Sequence, residues 1–239
     1  MTGAALLLLP GFMMDDDLWA DVTPELQRWG PVAHADLGRD DSIPAMARRT
    51  LEQAPEAFLA IGFSMGGYVA REIARMAPGR IRGLVLVATS ARPDGPGQAR
   101  RKVAAAEGAG RFAGLSRGAV LSALHPERTH DQALIRRVQA MAVRRGPMAF
   151  RRQSLLDRPG DADRLGDIRC PTLILAGADD RLRSAAEAEE LHRGIAGSEL
   201  GVVEGAGHLI PLEAPEAFVA AVARWLEKAL RTDPEDGGG

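Results

Sequence analysis

Short apolar runs bounded by glycine or proline alternate along this chain with amphipathic stretches of helical period. The runs are Ala5–Leu9, Val32–Asp36, Ala57–Ile61, Gly83–Ala88, Thr172–Ala176 and Glu199–Glu204. Several are apolar at nearly every position, the mark of a strand covered on both faces. Helical stretches lie near Leu18–Trp29, Ile43–Gln53, Gly67–Met76, Ser184–His192 and Pro215–Leu230. The alternation predicts an α/β fold, a parallel sheet with helices on both faces. Chemistry in such folds sits in the loops that follow the strands.

One region breaks the rhythm. Between about residues 92 and 163 there is no convincing strand, only the helical patches Gln98–Glu107, Arg117–Leu124, Asp131–Arg144 and Pro147–Asp157. The region is too long for a structureless loop in a compact domain and reads as a helical insert lying over the sheet. The organisation expected is therefore a core formed by 1–91 and 164–231, a helical cap or lid over 92–163, and a flexible, acidic, glycine-rich tail over 232–239.

Composition narrows the function classes. A chain of 239 residues, 46% of them hydrophobic, can build a substantial core. A formal net charge of −2 gives no electrostatic case for nucleic acid or an acidic membrane. The single cysteine, Cys170, excludes an internal disulfide framework, leans toward the cytoplasm and reads as packing. The leading run Ala4–Leu9 lacks the basic region and cleavage site of a signal peptide and is too short to span a bilayer. No partner nucleic acid or membrane is expected, only a small molecule.

The strongest chemical signal is Gly62-Phe63-Ser64-Met65-Gly66, followed by Gly67. This G-x-S-x-G pentapeptide stands directly after an apolar strand and before a helical pattern. A serine nucleophile must be lifted off the sheet on a tight turn, and glycines on either side leave room where Cβ atoms would collide. The following helix aims its N-terminal amides at the site, so the N–H of Met65 can receive a developing oxyanion.

A serine hydroxyl needs a base, and the base needs an orienting acid. After Ser64 the chain offers His125, His130, His192 and His208. His125 and His130 lie in the polar insert and His192 closes a helix, so these read as surface or capping residues. His34, within the second strand, reads as structural. His208 follows the last apolar run in Gly205-Ala206-Gly207-His208, where two glycines let the loop fold back over the strand ends. It is the expected base. The acid should follow Thr172–Ala176, where the chain reads Gly177-Ala178-Asp179-Asp180-Arg181. Spacing alone does not choose between Asp179 and Asp180.

Leu9-Pro10-Gly11-Phe12, the Ser64 pentapeptide, Pro171 through Asp180, and Gly205 through His208 together resemble the α/β-hydrolase superfamily in its serine-nucleophile, esterase-like branch. The similarity spans nearly the whole chain, in order, with the helical insert at the usual cap position. It implies that the acid is Asp180, the third residue after Gly177, and that the second oxyanion amide is that of Phe12. The family often carries His-Gly where this chain has Pro10-Gly11, so the packing behind that amide must differ. The Gly11 loop also comes too early for the two leading strands of the full family sheet. The resemblance therefore implies a six-stranded parallel sheet, ordered 2-1-3-4-5-6.

The activity so implied is cleavage of a small carboxylic ester through an acyl-enzyme, without cofactor or metal. Thioesters, lactones, carbon–carbon bonds or cofactor-free perhydrolysis would use the same triad, and a catalytically silent binding protein is the non-enzymatic alternative. Ser64 argues against the dehalogenase and epoxide-hydrolase branches, which use an aspartate nucleophile. Met141, Met148 and Phe150 of the insert, with Phe12, Met13 and Met65, are the candidates to line an acyl pocket. Residues 92–163 hold fourteen Lys or Arg against seven Asp or Glu, a net +7 that leaves −9 elsewhere. That excess reads either as a lid attracting anionic substrates or as solvated faces and lid-to-core salt bridges.

Overall fold

The computed structural model describes residues 4–107 and 112–229. Six parallel strands are ordered β2-β1-β3-β4-β5-β6, with β1 Ala5–Leu9, β2 Val32–His34, β3 Phe58–Phe63, β4 Ile81–Val87, β5 Thr172–Gly177 and β6 Glu199–Val203. In a strand, successive side chains point to opposite faces. Leu6 and Leu8 of β1 therefore join one apolar layer with Ile61, Val85 and Trp225, while Leu7 and Leu9 join another with Ala60, Leu86 and Ile73. Two covered faces explain why the strands read as continuous apolar runs rather than alternating ones.

The helices are α1 Thr23–Leu26, α2 Ile43–Gln53, α3 Met65–Met76, α4 Pro96–Glu107, α5 Arg117–Ala123, α6 Gln132–Ser154, α7 Ala185–Gly194, α8 Ile210–Glu213 and α9 Pro215–Ala229. Ser42 caps α2 by accepting from the N–H of Ala45, and Ser184 forms a capping box with Glu187 ahead of α7. The tail expected at 232–239 lies outside the described residues.

One helical expectation needs correction. The single helix expected at Leu18–Trp29 is instead a 3-10 turn, Asp16–Trp19, followed by α1. Pro24 has no N–H to continue a helix through this segment, but it suits the first turn of a new one, where it stands in α1. The two helices expected at Asp131–Arg144 and Pro147–Asp157 are both present within α6, separated by non-helical backbone at Gly146 (φ 75°, ψ 175°) just before Pro147, and the second ends at Ser154. Glycine tolerates the positive φ, and proline removes the hydrogen bond that would have kept the rod straight.

Helices α4, α5 and α6 connect β4 to β5. Part of their positive charge is matched by aspartates near β1 and β2. Arg137 reaches Asp17 (3.0 Å) and Asp21, Arg144 reaches Asp15 (2.7 Å) and Asp17 (3.0 Å), and Arg145 reaches Asp36. Three of the arginines behind the +7 excess are thus ion-paired to aspartates that precede α2. At the far end of the connection, Asp161 is chelated by Arg71 of α3 (2.8 Å to each carboxylate oxygen), with Arg75 adding a third bond at 3.0 Å. Cys170 packs partly buried beside the second apolar layer, and burial pushes its thiol up, consistent with packing. Among the described residues no helix is long and apolar enough to cross a membrane.

Candidate active site

The carboxyl ends of β1, β3, β5 and β6 converge on one place. Ser64 follows β3 with φ 50° and ψ −110°, a left-handed conformation that costs a non-glycine residue free energy. The turn is held from three sides. The N–H of Ser64 donates to the carbonyl of Val87 (2.8 Å), its carbonyl accepts from the N–H of Gly67 (3.0 Å), and the Thr89 hydroxyl donates to the same carbonyl (2.7 Å). A Cβ on Gly66 would stand 2.2 Å from the carbonyl oxygen of Leu9, so only glycine lets α3 start this close to β1. A Cβ on Gly11 would lie 2.7 Å from the ring of Phe63 and 3.5 Å from Cβ of Ser64, so the loop carrying Phe12 runs against the serine. Met13 (φ 56°) and Ala88 (φ 46°) share the left-handed region with Ser64, and all three lie just beyond strand ends.

His208 bridges the other two groups. Its Nε2 is 2.9 Å from Ser64 Oγ and its Nδ1 is 2.8 Å from Asp180 Oδ2. The side chains of His208 and Asp180 are only 7% and 1% exposed, so water competes little for these bonds. Asp180 Oδ1 accepts from the N–H groups of Leu182 (2.8 Å) and Arg183 (2.9 Å), which fixes the carboxylate and leaves Oδ2 for the histidine. Since a carboxylate only accepts, Nδ1 carries the proton and Nε2 is free to take the one on Oγ. Asp179 points elsewhere, to His125 Nε2 at 3.1 Å, and half of its side chain is exposed. His192 bonds Ser198 (2.9 Å), and His34 lies 3.8 Å from Asp16, both away from Ser64.

Glu213, which no sequence motif singles out, grips the backbone on both sides of His208. Its Oε1 accepts from the N–H of Gly207 (3.2 Å) and of Leu209 (3.0 Å), and its Oε2 accepts from the N–H of His125. The N–H of His208 itself donates to the carbonyl of Ala123 (2.8 Å). His208 is therefore fastened to the loop after α5 as well as to β6. Burial pushes the Glu213 carboxyl above its ordinary range despite the three N–H donors that favour the anion. The available signal is a lone acid closing the buried stretch Leu209-Ile210-Pro211-Leu212.

Ser64 and His208 open into a cavity of about 340 Å³ walled by Phe12, Met14, Leu115, Val138 and Leu182. The acyl-pocket candidates need correction here. Met13 is fully buried against Ala142 and Ala149, Met141 is fully buried in the first apolar layer, and Met65 in the second. Met148 is 56% exposed on the outside of the kinked helix. None of these four lines the cavity; Met14 does. Phe150 lines an adjoining space of about 760 Å³, where it stacks on Phe112 at 4.2 Å and meets Phe12 edge-on at 5.9 Å. Side-chain direction after the Gly11 loop separates Met13 from Met14, and adjacency in sequence does not encode it. Among the described residues no group of three or more His, Cys, Asp or Glu side chains is arranged to hold a metal ion.

Relatives share this framework. Polyketide synthase ThaQ of Burkholderia thailandensis is 31% identical over 260 residues, which cover 99% of this chain and 12% of the synthase. The chain thus spans only a small part of that relative's length. Pimeloyl-(acyl-carrier protein) methyl ester esterase of Neisseria meningitidis serogroup B is 29% identical over 253 residues, 94% of this chain and 93% of that enzyme. Among solved structures, a thermophilic esterase from Thermogutta terrifontis superposes with a TM-score of 0.85 at 29% identity, covering 95% of this chain and 91% of the esterase. Residues 6–221, nearly the whole described sheet and its helices, match the Alpha/beta hydrolase family, and the chain belongs to that family.

Proposed function

We propose that this chain hydrolyses a small carboxylic ester through an acyl-enzyme, with Ser64 as nucleophile, His208 as base and Asp180 as the residue that orients it. The observation that carries the reading is the unbroken relay from Asp180 Oδ2 through His208 to Ser64 Oγ, at 2.8 and 2.9 Å. Esterase-named relatives support the choice of an ester among acyl bonds. His208 Nε2 takes the proton of Ser64 as Oγ bonds to the ester carbonyl carbon, and Asp180 stabilises the imidazolium. The negative charge moves to the carbonyl oxygen, where the N–H groups of Met65 and Phe12 receive it. Met65 opens α3, so its N–H has no helical carbonyl to meet. The C–O bond to the alcohol then breaks, and the alcohol leaves with the proton from His208. Water, deprotonated by the same nitrogen, attacks the acyl-enzyme and releases the acid and Ser64.

A fluorophosphonate probe, followed by a panel of p-nitrophenyl esters of graded acyl length, tests the reading. Ser64→Ala should fold, lose the label, and lose turnover by a factor on the order of 10⁴ to 10⁶. Labelling at another serine would sink the assignment. A folded wild type that neither labels nor turns over any ester, thioester or lactone would indicate a silent binding protein.

A further inference from the structure

Among the described residues, the cavity in front of Ser64 is lined by three cationic side chains, Lys102, Arg158 and Arg183, and by no carboxylate. Their counter-ions stand behind them. Arg183 has its own partner, Glu187 at 3.3 Å. Lys102 and Arg158 share one ion-pair partner, Asp94, while the exposed Asp157 acts on Lys102 from farther off, so within ion-pairing distance the two cations outnumber their carboxylates by one. Arg158 holds Asp94 with Nη2 at 2.8 Å and Nε at 3.2 Å, and its guanidinium lies 5.7 Å from the centre of the Tyr68 ring. Lys102 donates to Asp94 and to the carbonyl of Leu156. Two of its three N–H directions are thereby fixed and the third remains to be used. All three members of the group are largely buried, so the surplus charge is only weakly screened.

We propose that Lys102 and Arg158 form an anion subsite in the acyl pocket, selecting esters whose acyl chain ends in a carboxylate. The proposal rests on the esterase reading and adds the class of substrate to it. The wall around Ser64 is apolar at Phe12, Leu115, Ala119 and Leu182, which suits a methylene chain. Lys102 lines both this cavity and the adjoining one, so a chain leaving Ser64 along the apolar wall can meet it. A terminal carboxylate there would neutralise the surplus and use groups already held in place, with little ordering left to do on binding. Burial, aided by the neighbouring Arg158, pulls the Lys102 ammonium below its ordinary range, further than Asp94 and Asp157 hold it up.

Monomethyl and dimethyl esters of straight-chain dicarboxylic acids, compared at each chain length, test the subsite. At one or more lengths the monomethyl ester should be preferred by about tenfold or more in kcat/KM, with the gain in KM. Lys102→Met should collapse that ratio toward one, and Lys102→Arg should keep it. Monomethyl esters with a terminal phosphate in place of the carboxylate form a third arm. A preference for phosphate over carboxylate would overturn the assigned ligand. Equal use of the mono- and dimethyl esters at every length would overturn the subsite and leave the esterase reading standing. Hydrolysis of neither, with no fluorophosphonate labelling, would instead count against the esterase reading. Should Lys102→Met fail to fold, the wild-type ratio by itself still decides for or against the subsite.

Discussion

Asp179 and Asp180 are adjacent in the chain, yet their carboxylates reach two different histidines. Asp180 meets His208 Nδ1 at 2.8 Å and Asp179 meets His125 Nε2 at 3.1 Å. The Glu127 N–H donates to His125 Nδ1 (3.2 Å), so His125 must present Nε2–H to Asp179. Only the Asp180 pair continues to Ser64, since His208 touches that serine and His125 is bonded back into its own turn. Asp180→Asn should therefore cut turnover by roughly two to four orders of magnitude, because the amide no longer fixes the tautomer or stabilises the imidazolium. Asp179→Asn should cost far less than tenfold. Steady-state kinetics of the two variants on one p-nitrophenyl ester decide it, and the reverse ranking would move the acid to Asp179.

Glu213 gives a pH signature. Its folded pKa is raised, so the folded chain binds that proton more tightly than the unfolded one. The stability this confers is full below the unfolded value of about 4.3 and is lost as pH rises through the folded value. Glu213→Gln has no such proton to lose. Measured by urea unfolding at stepped pH, its stability relative to the wild type should rise across that window. A difference that stays flat with pH would disprove the assignment. At the site the amide turns an N–H toward one of three backbone donors, loosening the His208 loop. Turnover should fall about tenfold, the equivalent of roughly 1.4 kcal/mol.

The legible parts of this protein are those written in local pattern. All six strands are legible because a doubly covered strand is apolar throughout, and Ser64 because a strand, a G-x-S-x-G turn and a helix are contiguous. Asp180 needs the family resemblance, since two adjacent aspartates look alike until the N–H groups of Leu182 and Arg183 orient one of them. What local pattern does not hold is carried by contacts between distant residues. Arg71 and Asp161 are 90 positions apart, and the same holds for the choice of Met14 over Met13, Met141 and Met148 as cavity wall. The first helix departs from its pattern because the apolar period continues through Pro24, where the hydrogen bonding cannot.

Arg71 and Asp161 make the costliest of these distant contacts. Arg71 is fully buried, donates to both oxygens of Asp161 and to the carbonyl of Ser90 (2.8 Å), and leaves Nη1 without a partner. Burial opposes ionisation of Asp161, but Arg71 and Arg75 outweigh it and hold the carboxyl below its ordinary range. Asp161→Asn would leave a buried guanidinium unneutralised, at a cost of about 3–5 kcal/mol and a fall in Tm of roughly 10 °C. Because the folded pKa is lowered, the wild type keeps this stability above about pH 3.9 and loses it as pH falls through the folded value. The stability gap between variant and wild type should therefore narrow on acidification. A Tm loss under about 2 °C at neutral pH would show that the pair is not holding the insertion to α3.

The arginines of α6 test what the surplus charge of the insertion does. Arg144 bonds Asp15 and Asp17, and Arg137 bonds Asp17 and Asp21, so one carboxylate is shared and the set behaves as a network. Exposed pairs contribute only about 0.2–1 kcal/mol each, but charge reversal removes two of them and sets a new anion against Asp15 and Asp17. Arg144→Glu should therefore lower Tm by about 2–8 °C. Arg136→Glu, on an exposed position of the same helix, should move it far less. Neither arginine lines the cavity of Ser64, so turnover at saturation should follow the wild type at temperatures where the variant is folded. In about 1 M salt the Debye length shrinks to about 3 Å, and the gap between Arg144→Glu and wild type should close substantially. If Arg144→Glu left Tm unchanged at low salt but abolished the salt dependence of kcat/KM for an anionic ester, these arginines would be steering charges and not fasteners.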